Sequence, residues 1–213
     1  MTIDHQKYEF QNSQQIASEH DKFTLERYEQ FAKFLPKNSE CTNILDVGCN
    51  TGRGGLRLKT IKPSIALSGL DCVQERLNAL PECYSNKVYG LSTKILVEDR
   101  FFDAIVAGEF LEHLYPADVD QTLCEFQRVL KIGGRLLLTT PNPNYLRNKL
   151  EKKSVYGVSH LTQHFPQILK VRLLIHGFSG VKLYGSGKMS RYLGYSFPIL
   201  AVYGSYLVVA NKI

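Results

Sequence analysis

Leu45-Asp46-Val47-Gly48-Cys49-Asn50-Thr51-Gly52-Arg53-Gly54-Gly55 is the stretch that decides the fold. It grows out of a short apolar run, Asn43 to Val47, and ends in a cluster of glycines. Such a run, bounded by turn residues, reads as a buried strand followed by a tight turn. Downstream the form repeats: Ile65 to Leu70 is apolar and closes on Asp71, and a helix carrying Val73, Leu77 and Leu80 should follow until Pro81. Lys87 to Leu91, Phe102 to Ala107 and Arg135 to Thr140 read as further strands, the last stopped by Pro141 and Pro143. Between the latter two, Val119, Leu123, Phe126, Val129 and Leu130 mark an amphipathic helix over Ala117 to Lys131, ended by Gly133-Gly134. Strands alternating with helices mean βαβ units and a parallel sheet covered on both faces.

Further out the pattern is less regular. Upstream, Phe23, Leu25, Tyr28, Phe31, Phe34 and Leu35 recur at helical spacing until Pro36, so residues 1–39 form a helical segment beside, or as a lid over, the domain at 40–213. Downstream, Phe165 to His176 predicts a helix closed by Gly177, and Val181 to Tyr184 and Tyr203 to Ala210 predict two late strands. Ser186 to Pro198 reads equally as a loop or a short helical insertion, and residues 141–200 as an elaboration on the acceptor side.

In an open α/β sheet, ligands bind beyond the carboxyl ends of the strands where the strand order reverses. The glycine turn fits such a point, but not every ligand. A dinucleotide fingerprint needs G-x-G-x-x-G, and Asn50 and Arg53 occupy the second and third glycine positions. A P-loop needs G-K-[ST] at its end, and no lysine follows. What remains is a turn that brings backbone close to a ligand without demanding a pyrophosphate, with Asn50 tolerating positive φ where glycine is usual. Asp71 lies 23 positions after Gly48, where a carboxylate can accept both hydroxyls of a ribose or else cap the helix after it. Together the turn and the acid point to a ribose-bearing ligand.

Composition narrows the class further. The 213 residues are 44% apolar and 22% charged, values of a soluble globular domain that exclude collagen, coiled coil and disorder. Five cysteines, Cys41, Cys49, Cys72, Cys83 and Cys124, form an odd set without close pairing, and the first residues are polar. These features lead to the expectation of free thiols and a cytoplasmic setting. The formal net charge is +6, but it is unevenly spread: residues 146–213 carry ten Lys/Arg against Glu151 alone. Six of the twelve tyrosines also fall there, with Tyr145 just before. Basic charge interleaved with aromatics suits an anionic partner, while a solvated basic face is the plainer alternative.

ILDVGCNTGRGG, then GLD ending at Asp71, then FDAIVAGEFLEHL (Phe102 to Leu114), then RVLKIGGRLLLTTPNP (Arg128 to Pro143) resemble, in that order, the motifs of class I S-adenosylmethionine-dependent methyltransferases. The likeness is strong over residues 40–145 and continues weakly through His160 to Phe178, in the manner of the branch that contains quinone-biosynthesis and sugar methyltransferases. It implies a Rossmann-like α/β fold with a seven-stranded, mostly parallel sheet and an antiparallel last strand, and S-adenosyl-L-methionine as cofactor. Carried over residue by residue, it sets Gly48, Cys49, Asn50 and Gly52 against the methionine part, with Asp46 orienting the turn. Asp71 would bind the ribose, Cys72, Leu91 and Ser92 would flank the adenine, and Ala107, Gly108 and Glu109 would line the cofactor. The family often has an acid at about Leu91, where this sequence departs.

Methyl transfer from a sulfonium is an in-line displacement, so positioning can supply most of the catalysis. A base is needed only if the nucleophile must lose a proton during attack. Glu109 and His113, four apart after a strand, read as sharing one face of a starting helix, with His113 as base and Glu109 orienting it, or as a merely structural pair with Glu112 solvated. His160 and His164 are also four apart, but Pro166 follows and no third ligand is evident in sequence, so the expectation is substrate-facing groups and no metal. Asn142, Asn144 and Tyr145 are further acceptor-side candidates, and Arg147, Lys149, Lys152 and Lys153 could meet a phosphate. The reading is methyl transfer to a small acceptor, most simply a hydroxyl of a sugar, glycan or lipid-linked intermediate. Its rivals are a quinone-like or phenolic acceptor at an acidic membrane surface, suggested by Phe197 to Tyr206, a nucleic-acid-directed enzyme, and a non-catalytic cofactor-binding protein. Pro141-Asn142-Pro143-Asn144 is not the Asn/Asp-Pro-Pro-Tyr/Phe motif of amino-directed nucleic-acid enzymes, which disfavours nucleic acid; the oligomeric state is left open.

Overall fold

The computed structural model describes residues 5–13, 23–36, 42–157 and 159–213. Two helices come first, α1 (His5–Ser13) and α2 (Phe23–Phe34). The alternating part follows as β1 (Asn43–Val47), α3 (Arg53–Ile61), β2 (Ala66–Asp71), α4 (Gln74–Asn78), β3 (Tyr84–Tyr89) and β4 (Phe102–Gly108). A 3₁₀ turn at Leu111–His113 leads into α5 (Pro116–Val129) and β5 (Leu130–Pro141). The chain ends with α6 (Leu146–Leu150), α7 (Pro166–Ile175), β6 (Phe178–Ser186), α8 (Ser190–Leu193), a 3₁₀ turn at Leu200–Val202 and β7 (Ser205–Lys212).

The seven strands form one sheet in the order β3-β2-β1-β4-β5-β7-β6, as the family resemblance implies. β1 pairs in parallel with both β2 and β4, and β7 runs antiparallel between β5 and β6. The order reverses between β1 and β4, so the crevice beyond their carboxyl ends is the place for a ligand. The central strands are buried on both faces, which is why Asn43 to Val47 and Phe102 to Ala107 read as apolar runs without alternation. One face is covered by α5 and α7, whose Val119, Leu123, Phe126, Leu169 and Leu173 join Leu45, Ile105 and Leu138 in one core cluster. The other carries α2, α3 and α4, with Phe31, Leu58 and Leu77 packed against Ile44, Leu67 and Val106.

Two elements differ from the sequence reading, each for a physical reason. β3 spans Tyr84–Tyr89, earlier than Lys87 to Leu91, because this edge strand is mostly exposed and lacks an apolar signature. β5 begins at Leu130, so Gly133-Gly134 lie within the strand instead of beyond the helix; pairing of Phe102 with Leu130 starts it, and an irregularity before Ala104 accommodates the glycines. α1 has no apolar stripe, and its Tyr8 is buried while most of its other side chains lie nearer solvent.

Candidate active site

The turn after β1 is built by backbone. Gly48 N–H and Cys49 N–H both donate to the carbonyl of Leu70, 2.9 and 3.2 Å away, tying the turn to the end of β2. Gly48 has φ +65° and a Cβ there would lie 2.7 Å from the Phe110 ring, so glycine is required twice over. Asn50 adopts φ 51°, the left-handed conformation expected of it. The Asp71 carboxylate closes the arrangement: Oδ2 accepts from Asn50 N–H and Oδ1 from Val73 N–H, each at 2.9 Å. The capping reading of Asp71 is seen at Val73 N–H, and the same carboxylate also holds the turn. A carboxylate has about four acceptor sites, so lone pairs are left for a ligand. Burial raises the Asp71 pKa, opposed first by Arg76.

Turn and acid open on one cavity of about 690 Å3, a volume in the range of small-molecule sites. Gly48, Cys49 and Asn50 line it, together with Asp71, Cys72, Leu91, Ser92, Gly108, Glu109, His113 and His160. The Ser92 hydroxyl is 2.8 Å from that of Thr122, which occupies it within the fold. Burial pushes the Cys72 thiol up to about 12, leaving an apolar, un-ionised neighbour for an aromatic ring.

Three residues expected at the cofactor stand behind the cavity wall. Gly52 starts α3, and a Cβ on it would strike Pro81 and Leu80. Ala107 is buried in the core cluster under α5. Asp46 is fully buried beneath the turn and accepts hydrogen bonds from the Tyr28 and Tyr84 hydroxyls, each at 2.5 Å. Burial holds its pKa up at about 7, against the lowering effect of those two donors. The same tyrosines explain Gly54 and Gly55: a Cβ at Gly54 would lie 2.2 Å from Tyr28, and one at Gly55 1.9 Å from the Tyr84 hydroxyl. Half of the glycine cluster thus serves a Tyr–Asp–Tyr clamp, which the sequence does not announce.

Across the cavity, Glu109 follows β4 with φ 52°, a strained conformation for a side chain. It stands outside the 3₁₀ turn that holds His113, so the two do not share a helical face as expected; a single 3₁₀ turn has no register for an i, i+4 pair. Its carboxylate turns to Arg27 of α2, 3.6 Å away, and the Ser205 hydroxyl donates to it at 3.3 Å. His113 Nδ1 is instead 2.8 Å from the Ser159 carbonyl. Burial and the neighbouring His160 lower its pKa to about 4, so the ring is neutral at neutral pH. Glu112 is buried, not solvated: Thr140 donates to Oε2 at 3.1 Å, while Oε1 has no hydrogen-bond partner. Burial and Glu109 push its pKa well above the carboxylate range.

The acceptor-side segment is stitched onto this turn. The Glu112 carbonyl accepts from Leu161 N–H at 2.7 Å and Thr162 N–H at 3.1 Å, and the Thr162 hydroxyl donates to the Leu111 carbonyl at 3.0 Å. His160 is thereby held against His113, ring centroids 5.1 Å apart and nearly perpendicular. His164 does not reach the cavity. It is buried, 3.0 Å from the Thr162 hydroxyl, with its pKa lowered to about 4 by burial; the chain between the two histidines is irregular loop, so their spacing of four does not bring them to one site. Asn142 is likewise internal, its amide donating to the Leu200 and Tyr203 carbonyls. Sequence reasoning missed Arg27, Tyr8, Asn12 and Thr24, which bring α1 and α2 to the cavity rim. Tyr8 is fixed there by donating to Asp118 at 2.7 Å and accepting from Tyr115 N–H at 2.9 Å.

Half of the ten cations of the basic C-terminal third are engaged within the fold. Arg147 and Lys153 both pair with Glu151, Arg172 with Asp120 and Arg191 with Glu26, and Lys212 donates to the buried Leu130 carbonyl. No helix among the described residues is long and apolar enough to cross a membrane.

Residues 45–138 match the family model described as a methyltransferase domain. The chain is 32% identical over 131 residues to malonyl-[acyl-carrier protein] O-methyltransferase 1 of Coxiella burnetii, covering 62% of this chain and 43% of that one. It is 33% identical over 111 residues to the fatty-acid O-methyltransferase of Mycolicibacterium smegmatis, covering 50% and 39%. It thus spans less than half the length of these curated relatives. A solved SAM-dependent methyltransferase from Archaeoglobus fulgidus shares the fold, with a TM-score of 0.67 at 19% identity over 88% of this chain and 92% of that one. A doubly wound sheet whose switch-point cavity joins a glycine turn to a strand-end acid has the architecture in which α/β proteins bind nucleotides. Residues 45–138 thus match a methyltransferase domain, and the fold is shared with a solved SAM-dependent methyltransferase.

Proposed function

We propose that this chain transfers the methyl group of S-adenosylmethionine to an oxygen of a small-molecule acceptor. The observation that carries this reading is the single cavity that joins the glycine turn and Asp71 on one side to Glu109, His113 and His160 on the other. In it, Gly48, Cys49 and Asn50 would receive the methionine part, Asp71 the ribose, and Cys72, Leu91 and the Ser92 backbone the adenine. Arg27 and Arg53 reach the same cavity and are suited to a carboxylate. When bound, the cofactor supplies an activated methyl on a sulfonium. The protein's part is to hold the acceptor oxygen in line with it and to keep bulk water out. As a neutral ring, His113 accepts a hydrogen bond at the acceptor end more readily than it carries charge. Glu109, tied to Arg27, orders the wall between the two ligands.

The acceptor we infer is a sugar, glycan or lipid-linked intermediate carrying a free oxygen nucleophile. The relatives named for malonyl-[acyl-carrier protein] and for fatty acids favour oxygen as the atom methylated and a carrier or lipid chain as its attachment. Exposed Tyr192, Leu193, Phe197 and Ile199 lie together in sequence after α8 begins, and favour a second reading, a phenolic or quinone-like acceptor met at a lipid surface. Calorimetric titration with S-adenosylhomocysteine is the direct test. Wild type should bind and Asp71→Ala should bind at least tenfold more weakly, the loss of a charge-assisted hydrogen bond being worth ~1.5–3 kcal/mol; no binding by wild type would end the reading. Methyl transfer from labelled cofactor to lipid-linked sugars, fatty acids and phenols separates the acceptors, and co-sedimentation with acidic vesicles tests the surface.

A further inference from the structure

Glu112, His113 and His160 place a carboxylate oxygen and two imidazole nitrogens within 4.8 Å of one another, two of these residues lining the cavity. We propose that this cluster is a binding site for one divalent transition-metal ion, of the zinc, manganese or iron(II) class, at the acceptor end of the cavity. The inference rests on the functional reading above only for what the ion does, not for whether it binds.

Three observations carry it. The first is chemical: one carboxylate and two imidazoles are a donor set suited to borderline divalent ions, and three protein ligands leave positions open for substrate or water. Contraction of the donors by about 1 Å would bring them to the ~2.0–2.2 Å bonds such ions form. The second is an orphan. Glu112 Oε1 is buried without a hydrogen-bond partner, while Oε2 is fixed by Thr140. A buried carboxylate oxygen left unpaired is costly, and a cation is one of the few partners that removes the cost. The third is orientation. His113 Nδ1 lies 2.8 Å from the Ser159 carbonyl and His160 Nδ1 lies 2.8 Å from the Val155 carbonyl. A carbonyl only accepts, so both rings carry their proton on Nδ1 and their lone pair on Nε2. A second hydrogen bond that fixes tautomer and ring plane is the usual support of a metal-bound histidine. The Glu109 carbonyl, which also lies by the His113 ring, has the weaker influence there.

The sequence suggested no metal because it paired His160 with His164. The fold discards His164 and supplies Glu112 and His113 from another segment through the Leu161 and Thr162 hydrogen bonds to the Glu112 carbonyl. At this position an ion would have its open sites toward the cavity, where it can hold an acceptor oxygen beside the cofactor and favour its deprotonated form.

Chelator-treated protein dialysed against Zn²⁺, Mn²⁺ or Co²⁺ provides the test, with metal per chain read by atomic emission and Co²⁺ coordination by visible absorption. The expected result is one ion per chain. Affinity should fall at least tenfold in His160→Ala, whose half-buried ring can be removed without opening the core, and also in Glu112→Gln. His176→Ala, beside Cys124 and Asp120 on the far surface, should leave affinity unchanged. Absence of stoichiometric metal in folded wild type, unaltered affinity in His160→Ala, or loss of the ion in His176→Ala would each overturn the proposal. S-adenosylhomocysteine binding is measured on the same samples: its failure with metal retained counts against the methyltransfer reading alone, and the reverse counts against the metal site alone.

Discussion

The two ends of the cavity are built differently. The cofactor end is made from neighbouring pieces of chain: the turn after β1 hangs on the Leu70 carbonyl and the Asp71 carboxylate at the tip of the adjacent parallel strand. Its partners are mostly backbone N–H groups, so side-chain identity matters chiefly where space or positive φ demands glycine. The acceptor end is made from distant pieces, Glu109 to His113 after β4 and Ser159 to Thr162 before α7, held by side-chain and loop hydrogen bonds. The first is a property of the fold and the second is grafted onto it, which is why a shared fold identifies the cofactor before the acceptor.

Breaking the cofactor end should have the largest effect. Gly55→Ala forces a Cβ to within 1.9 Å of the Tyr84 hydroxyl. Overpacking of this kind should cost ~3 kcal/mol or more, seen as a fall in the denaturation midpoint together with loss of S-adenosylhomocysteine binding. A variant of wild-type stability would show that the clamp yields. Next comes the pH dependence of the clamp itself. Asp46 titrates at about 7 in the folded protein against about 3.8 when unfolded, so between these values the folded state binds the extra proton. Stability contributed by this group is therefore complete below about pH 4 and is lost as pH rises through 7. The advantage of wild type over Asp46→Asn should shrink across that window with a slope approaching ~1.4 kcal/mol per pH unit. Denaturant unfolding of both proteins from pH 4 to 8 checks it, and a difference that does not change with pH would refute it.

The acceptor end should yield more quietly. Thr162→Val removes a donor to the Leu111 carbonyl and should lower stability by ~1 kcal/mol. S-adenosylhomocysteine affinity should stay within about twofold while methyl transfer falls, because only the acceptor segment is loosened; equal losses of both would mean that the ends are coupled. The smallest effect belongs to the surface. Arg172, then His176, hold Asp120 down at about 2, so its contribution is present above pH 4 and is lost as pH falls toward 2. These groups are exposed and screened, so the difference between wild type and Asp120→Asn should not exceed ~0.5 kcal/mol and should fade in salt.

How far the sequence could be read follows the same division. The strands β1, β2 and β4, Asn50 in a left-handed turn, and Asp71 facing that turn could be read from the chain because each is a local consequence of burial period or turn chemistry. β3 could not, since an exposed edge strand has no apolar period to display. Gly54 and Gly55 read only as members of a glycine cluster, and their packing role could not be seen because the tyrosines that need their space come from α2 and β3. His160 with His164 looked like a pair by spacing, yet spacing counts only on a regular element, and this segment is irregular loop. Arg27 carried no signal at all; within an amphipathic helix it reads as a surface charge, and only the packing of α2 beside β4 brings it to Glu109.

By itself, then, the sequence determined the alternating architecture and the glycine turn with its neighbouring acid, since these rest on short-range patterns of burial and backbone conformation. The tertiary structure alone decided which distant side chains meet: the clamp under the turn, the ion pair of Arg27 with Glu109, and the gathering of Glu112, His113 and His160. Those meetings join residues tens of positions apart, and contact between them is set by the sheet order and loop anchoring, quantities that no local pattern encodes.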